Sequence, residues 1–389
     1  MKQKTNGLRG RPDFLLLVLT LVLVGFGLVM VFSASSNTAV ISENYNYDAL
    51  YFTKRQLIWA VLGTGIMFII MNIPYTVFKK AYILYFVPVI IMLMIVPFVS
   101  EEINGARSWF NIGPLGIQPT EFAKLGLILY LGSLITKKGE KFRDFKKGLV
   151  PVFIVIGFIC GLIMLQPDLG SCIVIAACSI IIIVAGGANL KQLFLAGVVI
   201  SLIVVAGASI SMMKDPAGWN YRIDRFTAFT NPEADELGST YQLSRSLQAL
   251  GHGGFSGAGF GHSVQKLKYL PYAYSDFIFS VIAEEFGFIG SVLFLLFYLV
   301  FLWRGLIIAL RCPDSYGTVV GVGIVGLLAV QTIINIGGVT GAMPLTGVTL
   351  PFISHGGSSL LVSLACIGVL LSISREHDKP EKSSNRFAS

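Results

Sequence analysis

The stretch FIFSVIAEEFGFIGSVLFLLFYLVFLW, residues 277–303, sets the class of structure to which this chain belongs. It contains two charged side chains, Glu284 and Glu285, and nearly all its other residues are apolar. A helix needs about 20 such residues to cross the roughly 30 Å hydrocarbon core of a bilayer. The stretch therefore predicts a membrane-spanning helix.

Apolar runs of this kind recur along the 389-residue chain, which is 54% hydrophobic and 13% charged. Soluble domains carry roughly 25% charged residues, so the composition indicates that the bilayer is the solvent. The expected fold is an all-α polytopic membrane protein with ten transmembrane helices. We predict the spans near 14–33, 57–73, 81–99, 122–136, 149–165, 171–187, 193–213, 277–303, 317–341 and 351–374.

The distribution of Lys and Arg predicts the side that each loop faces, because cytoplasmic loops carry the excess of these residues. With the amino terminus inside, inner segments hold 19 of the 29 basic residues and outer segments hold 9, while Lys124 lies within a span. An even number of spans then places both termini in the cytoplasm. We expect a single membrane domain over 1–389, with a tail at 1–13, a ten-helix core at 14–374 and a second tail at 375–389.

One large loop, about 214–276, is extracytoplasmic in this topology, and loops of such length usually carry function. Within it, Ser239 to Leu250 predicts a short amphipathic helix that ends at Gly251. The glycine run HGGFSGAGFG (252–261) follows, without the preceding strand or the Lys-Ser/Thr of a phosphate-binding loop. We therefore predict a flexible or close-packed turn.

Other classes of function find no support in the sequence. The formal charge of +8 arises in loops between apolar runs, which leaves no basic face for a nucleic acid. Four of the five cysteines lie inside apolar runs, and no Cys/His spacing matches a zinc site. We expect no nucleic acid, no disulfide and no metal cluster.

Ionisable residues at or inside the bilayer are the candidates for chemistry, because each costs roughly 2.5–3.5 kcal/mol at a helix centre. Asp276 ends the long loop immediately before the apolar stretch quoted above. Partial desolvation at such a place makes a carboxylate a stronger base. Ser275 and Asp276 are equally good helix N-caps, so the sequence leaves both roles open for Asp276.

Three more charged residues lie near the outer ends of predicted spans. Arg107 offers a planar fork that binds phosphate or carboxylate, although interfacial anchoring explains its neighbour Trp109 without a ligand. Glu121 and Lys124 share one helix face, where they either neutralise each other or contact a substrate.

Two further motifs also leave alternatives open. Arg222 and Arg225 in YRIDRF add cations on the outer side, or they are ordinary solvated charges beside Asp224. Asp168 in LQPDLG lines a polar cavity together with Gln166, or it caps the next helix.

The run TGAMPLTGVTLPFISHGGSS (340–359) has Pro and Gly where a continuous helix would not tolerate them. Irregular backbone at membrane depth must be buried in protein or line a water-filled cavity. The run is therefore a cavity floor or a hairpin between helices. His355 within it is a proton carrier or an interior histidine with satisfied hydrogen bonds.

Seven blocks resemble those of the SEDS family, the shape, elongation, division and sporulation proteins that include FtsW, RodA and SpoVE, in order and nearly from end to end. They are FSAS (32–35), FTKRQL (52–57), NGARSWFNIGPLGIQPTEFAKL (104–125), QPDLG (166–170), YRIDRF (221–226), YLPYAYSDFIFSVIAEEFG (269–287) and MPLTGVTLPFISHGGSS (343–359). KRQL, PLTG and the short tails resemble the FtsW/SpoVE branch more than RodA.

The resemblance implies a peptidoglycan glycosyltransferase that polymerises lipid II on the outer face of the bacterial cytoplasmic membrane, in cell division or sporulation. The family's essential aspartate falls on Asp276, which we expect to be the catalytic base. The expected substrate-binding residues are Arg107, Lys124, Glu121, Gln166, Asp168, Arg222, Arg225 and Ser358. No cofactor is expected, and a divalent cation is left unassigned.

The implied partners are lipid II, membrane lipids, a class B penicillin-binding protein and other divisome or spore-cortex proteins, at the division septum or the forespore membrane. Two residues depart from the family pattern. The family often has Glu at the position of Tyr272 and usually has Tyr at the position of His355. Two rival functions are a lipid II flippase or transporter, because carriers are also built from broken helices, and a scaffold that recruits a transpeptidase. Neither rival gives Asp276 a chemical role.

Overall fold

Long helices and one short hairpin make up the part of the chain that the computed structural model describes, which is residues 10–100, 107–112, 115–214, 229 and 240–377. The hairpin pairs β1 (Phe110–Ile112) antiparallel with β2 (Leu115–Ile117). The helices are α1 (Phe14–Val40), α2 (Tyr51–Asn72), α3 (Tyr75–Val99), α4 (Pro119–Lys138), α5 (Val150–Met164), α6 (Leu169–Ala185), α7 (Leu190–Lys214), α8 (Tyr241–Gly253), α9 (Ile278–Leu310), α10 (Ser315–Val339) and α11 (Gly357–His377).

Eight helical stretches in the described residues are long and apolar enough to cross a membrane. They are Phe14–Val40, Tyr51–Asn72, Tyr75–Val99, Phe145–Met164, Leu190–Gly207, Ile278–Leu310, Ser315–Val339 and Gly357–Glu376. α6 is apolar but has only 17 residues, and α4 begins and ends with charged side chains. The chain is thus a mostly helical, multi-pass membrane protein, in which eight of the ten predicted spans meet these requirements of length and apolarity.

The last predicted span, 351–374, begins too early. α11 starts at Gly357, and the residues before it form a turn in which Phe352 has a φ of 67°. Phe352 is only 2% exposed, and it approaches α1 so closely that a Cβ placed on Gly27 would overlap its carbonyl oxygen. The turn is apolar because protein buries it, and an apolar run by itself does not separate such a turn from a helix.

α11 lies at the centre of the protein. Within the apolar window of each helix, 94% of residues are buried in α11 and 67% in α10, against 6% in α7. A helix that is apolar on every side belongs inside a bundle or in lipid, so α10 and α11 form the core and α7 lies at the periphery. The connection between α10 and α11 is therefore anchored at both ends in the most buried part of the fold.

The amphipathic helix predicted in the long loop is present as α8, which packs Leu243 and Ala249 inward. The predicted end at Gly251 is wrong, because the helix continues to Gly253 and Gly254 adopts the positive φ of 52°. A Cβ on Gly253 would overlap the carbonyl oxygen of Ala283 in α9. Close packing on α9 therefore stabilises two further helical residues.

The glycine run is a close-packed turn that fills a break in α9. Gly287 interrupts that helix with φ 67° and ψ −167°. Main-chain bonds of 2.8–3.1 Å join the run to the broken turn: Phe288 N to Gly254 O, Ile289 N to Phe255 O, Ala258 N to Glu284 O and Gly259 N to Glu285 O. The run thus supplies partners for backbone groups that the break removes from the helical ladder, which membrane-embedded backbone requires.

Gly257→Ala is expected to lower the free energy of unfolding by at least about 2 kcal/mol, because its φ of 84° strains any side chain and a Cβ would overlap the Glu285 carbonyl oxygen. The melting temperature in detergent measures the effect. Gly251→Ala is the matched control: it is helical with no atom within 4 Å of an added Cβ, so it should be neutral or stabilising. A Gly257→Ala protein as stable as wild type would contradict the packing described for the run.

Candidate functional site

Asp276 lies at the amino-terminal end of α9 without capping it. The helix begins at Ile278, and its cap position is occupied by Phe277, which makes no side-chain capping bond. Ser275 Oγ donates to Asp276 Oδ1 at 3.0 Å. The N-cap interpretation of Asp276 is therefore wrong.

The connection between α10 and α11 passes beside the Asp276 carboxylate. A Cβ placed on Gly347 would lie in ordinary contact with Asp276 Oδ2, at 3.6 Å, and the φ of 72° is the backbone conformation that favours glycine there. A cavity of about 30 Å³ is lined by Asp276, Asn335, Gly347 and Gln242 of α8 among others, which is room for a water molecule. The connection thus lines a cavity, which is one of the two interpretations of its sequence.

A second polar cluster joins the hairpin to α6 and α11. Ser358 Oγ accepts from Gln118 N at 3.0 Å and donates to Gly116 O at 3.2 Å. Gln118 Nε2 donates to Asp168 Oδ2 at 3.4 Å, while Asp168 Oδ1 accepts from Ser171 N at 2.9 Å. Asp168 therefore caps α6, one of its two predicted roles, and it shares Gln118 as a neighbour with Ser358.

The two clusters meet at residues 346–347. A Cβ on Gly170, in the first turn of α6, would overlap the carbonyl oxygen of Thr346. The next residue, Gly347, lies against Asp276. The structure thus places Asp276 and the start of α6, which Asp168 caps, around one short piece of backbone.

Arg107 and Gln166 are connected through Ser108. Ser108 Oγ donates to the Gln166 carbonyl at 3.4 Å. Gln166 is fully buried and donates from Nε2 to Leu93 O at 3.4 Å, while its Oε1 lacks a hydrogen-bond partner among the residues described. Arg107 is exposed, so its charge is presented at the surface beside the hairpin.

Glu121 and Lys124 form a buried ion pair at the start of α4. Lys124 Nζ donates to Glu121 Oε1 at 2.6 Å, and the two side chains are 2% and 8% exposed respectively. Mutual neutralisation, one of the two roles predicted for the pair, is therefore present. Arg222 and Arg225 lie outside the described residues.

Glu284 and Glu285, the charged pair of the opening stretch, hold the long loop to α9. Glu284 accepts from Val264 N at 2.9 Å. Glu285 accepts from Lys266 Nζ at 2.8 Å and from Ser33 Oγ of α1 at 2.6 Å. Both carboxylates are almost fully buried, so their ionisable groups have structural partners inside the protein.

Sequence reasoning missed three residues around Asp276 and Asp168. Asn335 carries a signal, because an amide inside the apolar run 317–341 needs hydrogen-bond partners in the membrane. Gln118 and Ser354 carry none, because each is one polar residue in a segment that connects helices. The part of the chain described contains no group of three or more His, Cys, Asp or Glu side chains placed to hold a metal ion.

His355 lies in the connection before α11, with its ring edge-on to Phe52 and Tyr274 at centroid distances of 5.3 and 5.8 Å. Its Nδ1 is buried without a hydrogen-bond partner in the described part of the protein. Burial, together with the charge of nearby Arg55, lowers the pKa of His355 to about 4. His355 is therefore neutral near pH 7, and the expectation of satisfied hydrogen bonds is wrong for Nδ1.

This lowered pKa predicts an acid-sensitive contribution to stability. The unfolded chain binds a proton at His355 below about pH 6.5, whereas the folded protein does not until about pH 4, so stability falls as the pH drops between these values. His355→Tyr should lose less melting temperature than wild type between pH 7 and pH 5. His262→Gln, which changes an exposed histidine, should behave like wild type, and equal losses in all three proteins would refute the assignment.

Comparisons with known proteins identify relatives over nearly the whole chain. Residues 14–379 match the family model for the cell cycle proteins FtsW, RodA and SpoVE. Stage V sporulation protein E of Bacillus subtilis is 42% identical over 367 residues, which is 94% of this chain and 97% of that protein. The protein named "Probable peptidoglycan glycosyltransferase FtsW" of Bacillus subtilis is 39% identical, over 93% of this chain and 90% of that protein.

Two solved structures share the fold. A chain from "Structural coordination of polymerization and crosslinking by a peptidoglycan synthase complex" has a TM-score of 0.70 at 28% identity, covering 95% of this chain and 99% of that one. The rod shape determining protein RodA of Thermus thermophilus has a TM-score of 0.65 at 27% identity, covering 95% and 98%. With its matched blocks, its helical fold and its relatives in agreement, the chain belongs to the FtsW, RodA and SpoVE family of cell cycle proteins.

Proposed function

We propose that this protein is a peptidoglycan glycosyltransferase that joins lipid II units into glycan strands on the outer face of the bacterial cytoplasmic membrane. Its FtsW relatives bear the name of this activity. The observation that carries the proposal is the place of Asp276, a carboxylate two residues before a membrane-spanning helix and beside a small cavity. A lipid-linked sugar presents its reacting hydroxyl at this boundary between hydrocarbon and water.

In the proposed reaction Asp276 accepts the proton of the 4-hydroxyl of GlcNAc in one lipid II molecule. The hydroxyl oxygen attacks the anomeric carbon of MurNAc in another, and a new C–O bond forms with inversion. The bond from that carbon to the polyprenyl pyrophosphate breaks, and the pyrophosphate leaves with the electron pair. Cleavage of this bond between the anomeric carbon and the pyrophosphate supplies the driving force, so no nucleoside triphosphate is needed outside the cytoplasm.

Positive charge stabilises the departing pyrophosphate, most strongly where water is excluded. We assign this contact first to Arg107, which is exposed beside the hairpin. Lys124 is paired with Glu121, so we assign it no direct contact with the pyrophosphate, and it contributes only to the electrostatic field at the start of α4. The rest of the proposed substrate-binding set is Gln166, Asp168, Ser358, Arg222 and Arg225.

The proposal includes a topology and partners. Ten spans, with α4 and α6 added to the eight apolar stretches given above, place both termini in the cytoplasm and Asp276 outside. The partner that suits this activity is a class B penicillin-binding protein, since a related structure concerns a complex that coordinates polymerization and crosslinking. The SpoVE and FtsW relatives favour the forespore membrane or the division septum as the location.

The test is reconstitution of the purified protein, with its penicillin-binding partner, in vesicles that contain lipid II. Glycan chains resolved on a gel are the expected result. Movement of fluorescent lipid II across the vesicle membrane without any polymer would replace the proposal with a flippase. If the vesicles showed neither polymer nor movement of lipid II, the scaffold would remain as the function.

A further inference from the structure

The main chain that carries Asp276 is held at three successive carbonyl groups. The donors come from α10 and from the connection that follows it: His355 N to Tyr274 O at 2.9 Å, Ser354 Oγ to Ser275 O at 2.7 Å and Asn335 Nδ2 to Asp276 O at 2.8 Å. Asn335 and Ser354 lie 59 and 79 residues from their acceptors along the chain. These bonds fix the segment before α9 to a distant part of the fold.

Asn335 uses its amide group for two bonds in this arrangement. Besides Asp276 O, Nδ2 donates to Val348 O at 2.7 Å. It therefore joins the main chain of Asp276 to the backbone that runs past the Asp276 carboxylate at Gly347. The side chain is 4% exposed, and its Oδ1 lacks a hydrogen-bond partner among the residues described. A buried unpaired oxygen costs stability, so the two donated bonds explain an amide at this position.

Ser354 is anchored in turn. Its Oγ, which donates to Ser275 O, also accepts from Leu350 N at 2.8 Å. Its carbonyl accepts from Gln56 Nε2 of α2 at 3.1 Å, and both of these side chains are nearly fully buried. The main chain of the residue that holds Ser275 is thus itself bound to α2, a helix that packs along the central α11.

We infer that Asn335 and Ser354 are positioning residues, which hold the Asp276 carboxylate at a fixed place beside the cavity. Neither is assigned a contact with substrate. The expected loss of activity rests on the proposed function. The expected loosening of the backbone around Asp276 does not. An error of about 1 Å in the place of a catalytic group costs about 100-fold in rate, which is the scale of effect expected when the carbonyl contacts are lost.

The experiment compares Asn335→Leu with Gln331→Leu. Leu removes both donors of Asn335 at similar size. Gln331 is a matched control because it is a buried amide one turn earlier on α10, 1% exposed, whose Nε2 is unpaired in the described residues. Ser354→Ala is a milder variant that removes only a hydroxyl, in case the Asn335 change reduces folding. The readouts are kcat and KM for lipid II polymerisation and hydrogen exchange of the backbone amides of 272–278.

We expect Asn335→Leu and Ser354→Ala to lower kcat by about 10- to 100-fold and to leave KM for lipid II within about twofold. Both variants should also speed hydrogen exchange at residues 272–278. The control Gln331→Leu should change none of these quantities. Unchanged exchange in both variants would overturn the inference, whatever the activity. Faster exchange with normal kcat would also overturn it. If wild type makes no polymer, the proposed function fails, while faster exchange in the variants would still support the positioning of the Asp276 segment.

Discussion

Asp276→Asn is expected to reduce lipid II polymerisation by about 100- to 10,000-fold, the usual contribution of a general base. Asn has the size of Asp and still offers an oxygen to Ser275 Oγ, which lies 3.0 Å from the carboxylate, but its amide does not accept the proton of a sugar hydroxyl. The cap position of α9 is occupied by Phe277 and not by this side chain. The rate of glycan formation in vesicles, with the penicillin-binding partner present, is the measurement.

The loss must be one of chemistry and not of folding. The melting temperature in detergent and the capture of the partner should both match wild type. Asp48→Asn is the matched control, because Asp48 is a carboxylate of the connection between α1 and α2 whose hydrogen bond from Lys54 Nζ, at 2.7 Å, is exposed. It should polymerise at the wild-type rate. Full activity of Asp276→Asn would remove the proposed base from the mechanism.

Lys266→Met is expected to lower the free energy of unfolding by roughly 3–5 kcal/mol, the cost of leaving one member of a buried ion pair alone. Lys266 Nζ lies 2.8 Å from Glu285 Oε1, and the side chains are 7% and 0% exposed. Without Lys266, Ser33 is the remaining hydrogen-bond donor to Glu285 in the part of the protein described. Thermal unfolding in detergent measures the change.

A double variant separates lost charge pairing from lost packing. Lys266→Met with Glu285→Gln should recover much of the loss, because no unpaired charge then remains in the interior. Lys54→Met is the control, since it breaks an exposed pair with Asp48 and exposed pairs contribute little. Two results would show that the pair does not stabilise the loop as described. One is a Lys266→Met protein with the melting temperature of wild type, and the other is a double variant with a lower melting temperature than Lys266→Met.

The helices were the most predictable part of this protein, because a bilayer requires about 20 apolar residues in a row and such runs stand out in any sequence. Residues 278–303 of the quoted stretch lie in α9, Ile278–Leu310, and Phe277 occupies its cap position. The break at Gly287 within it was not predictable, since the run 277–303 is apolar on both sides of it. The prediction failed at 351–356 for a similar reason: apolar residues enclosed by protein look the same as apolar residues enclosed by lipid.

The site was predictable only in part. Asp276 stood out because it is a lone acid at the edge of an apolar run, and Asp168 because it follows a helix-breaking proline. Their partners were not predictable, because Asn335 and Ser354 are distant from them in sequence. The amide of Asn335 inside an apolar run signals a need for hydrogen bonds but not which groups make them. Whether Glu121 and Lys124 face each other or a ligand also depended on side-chain geometry, which their spacing of three residues leaves open.

The sequence by itself determined the solvent, the places of the long apolar helices and the carboxylate just before α9, because these follow from hydropathy and from the cost of charge in lipid. Only the tertiary structure decided that Phe277 occupies the cap position of α9, that a glycine run fills the break at Gly287, and that an amide of α10 holds the Asp276 main chain. These contacts join residues far apart in the chain, where backbone groups buried in the fold must find partners that local sequence does not specify.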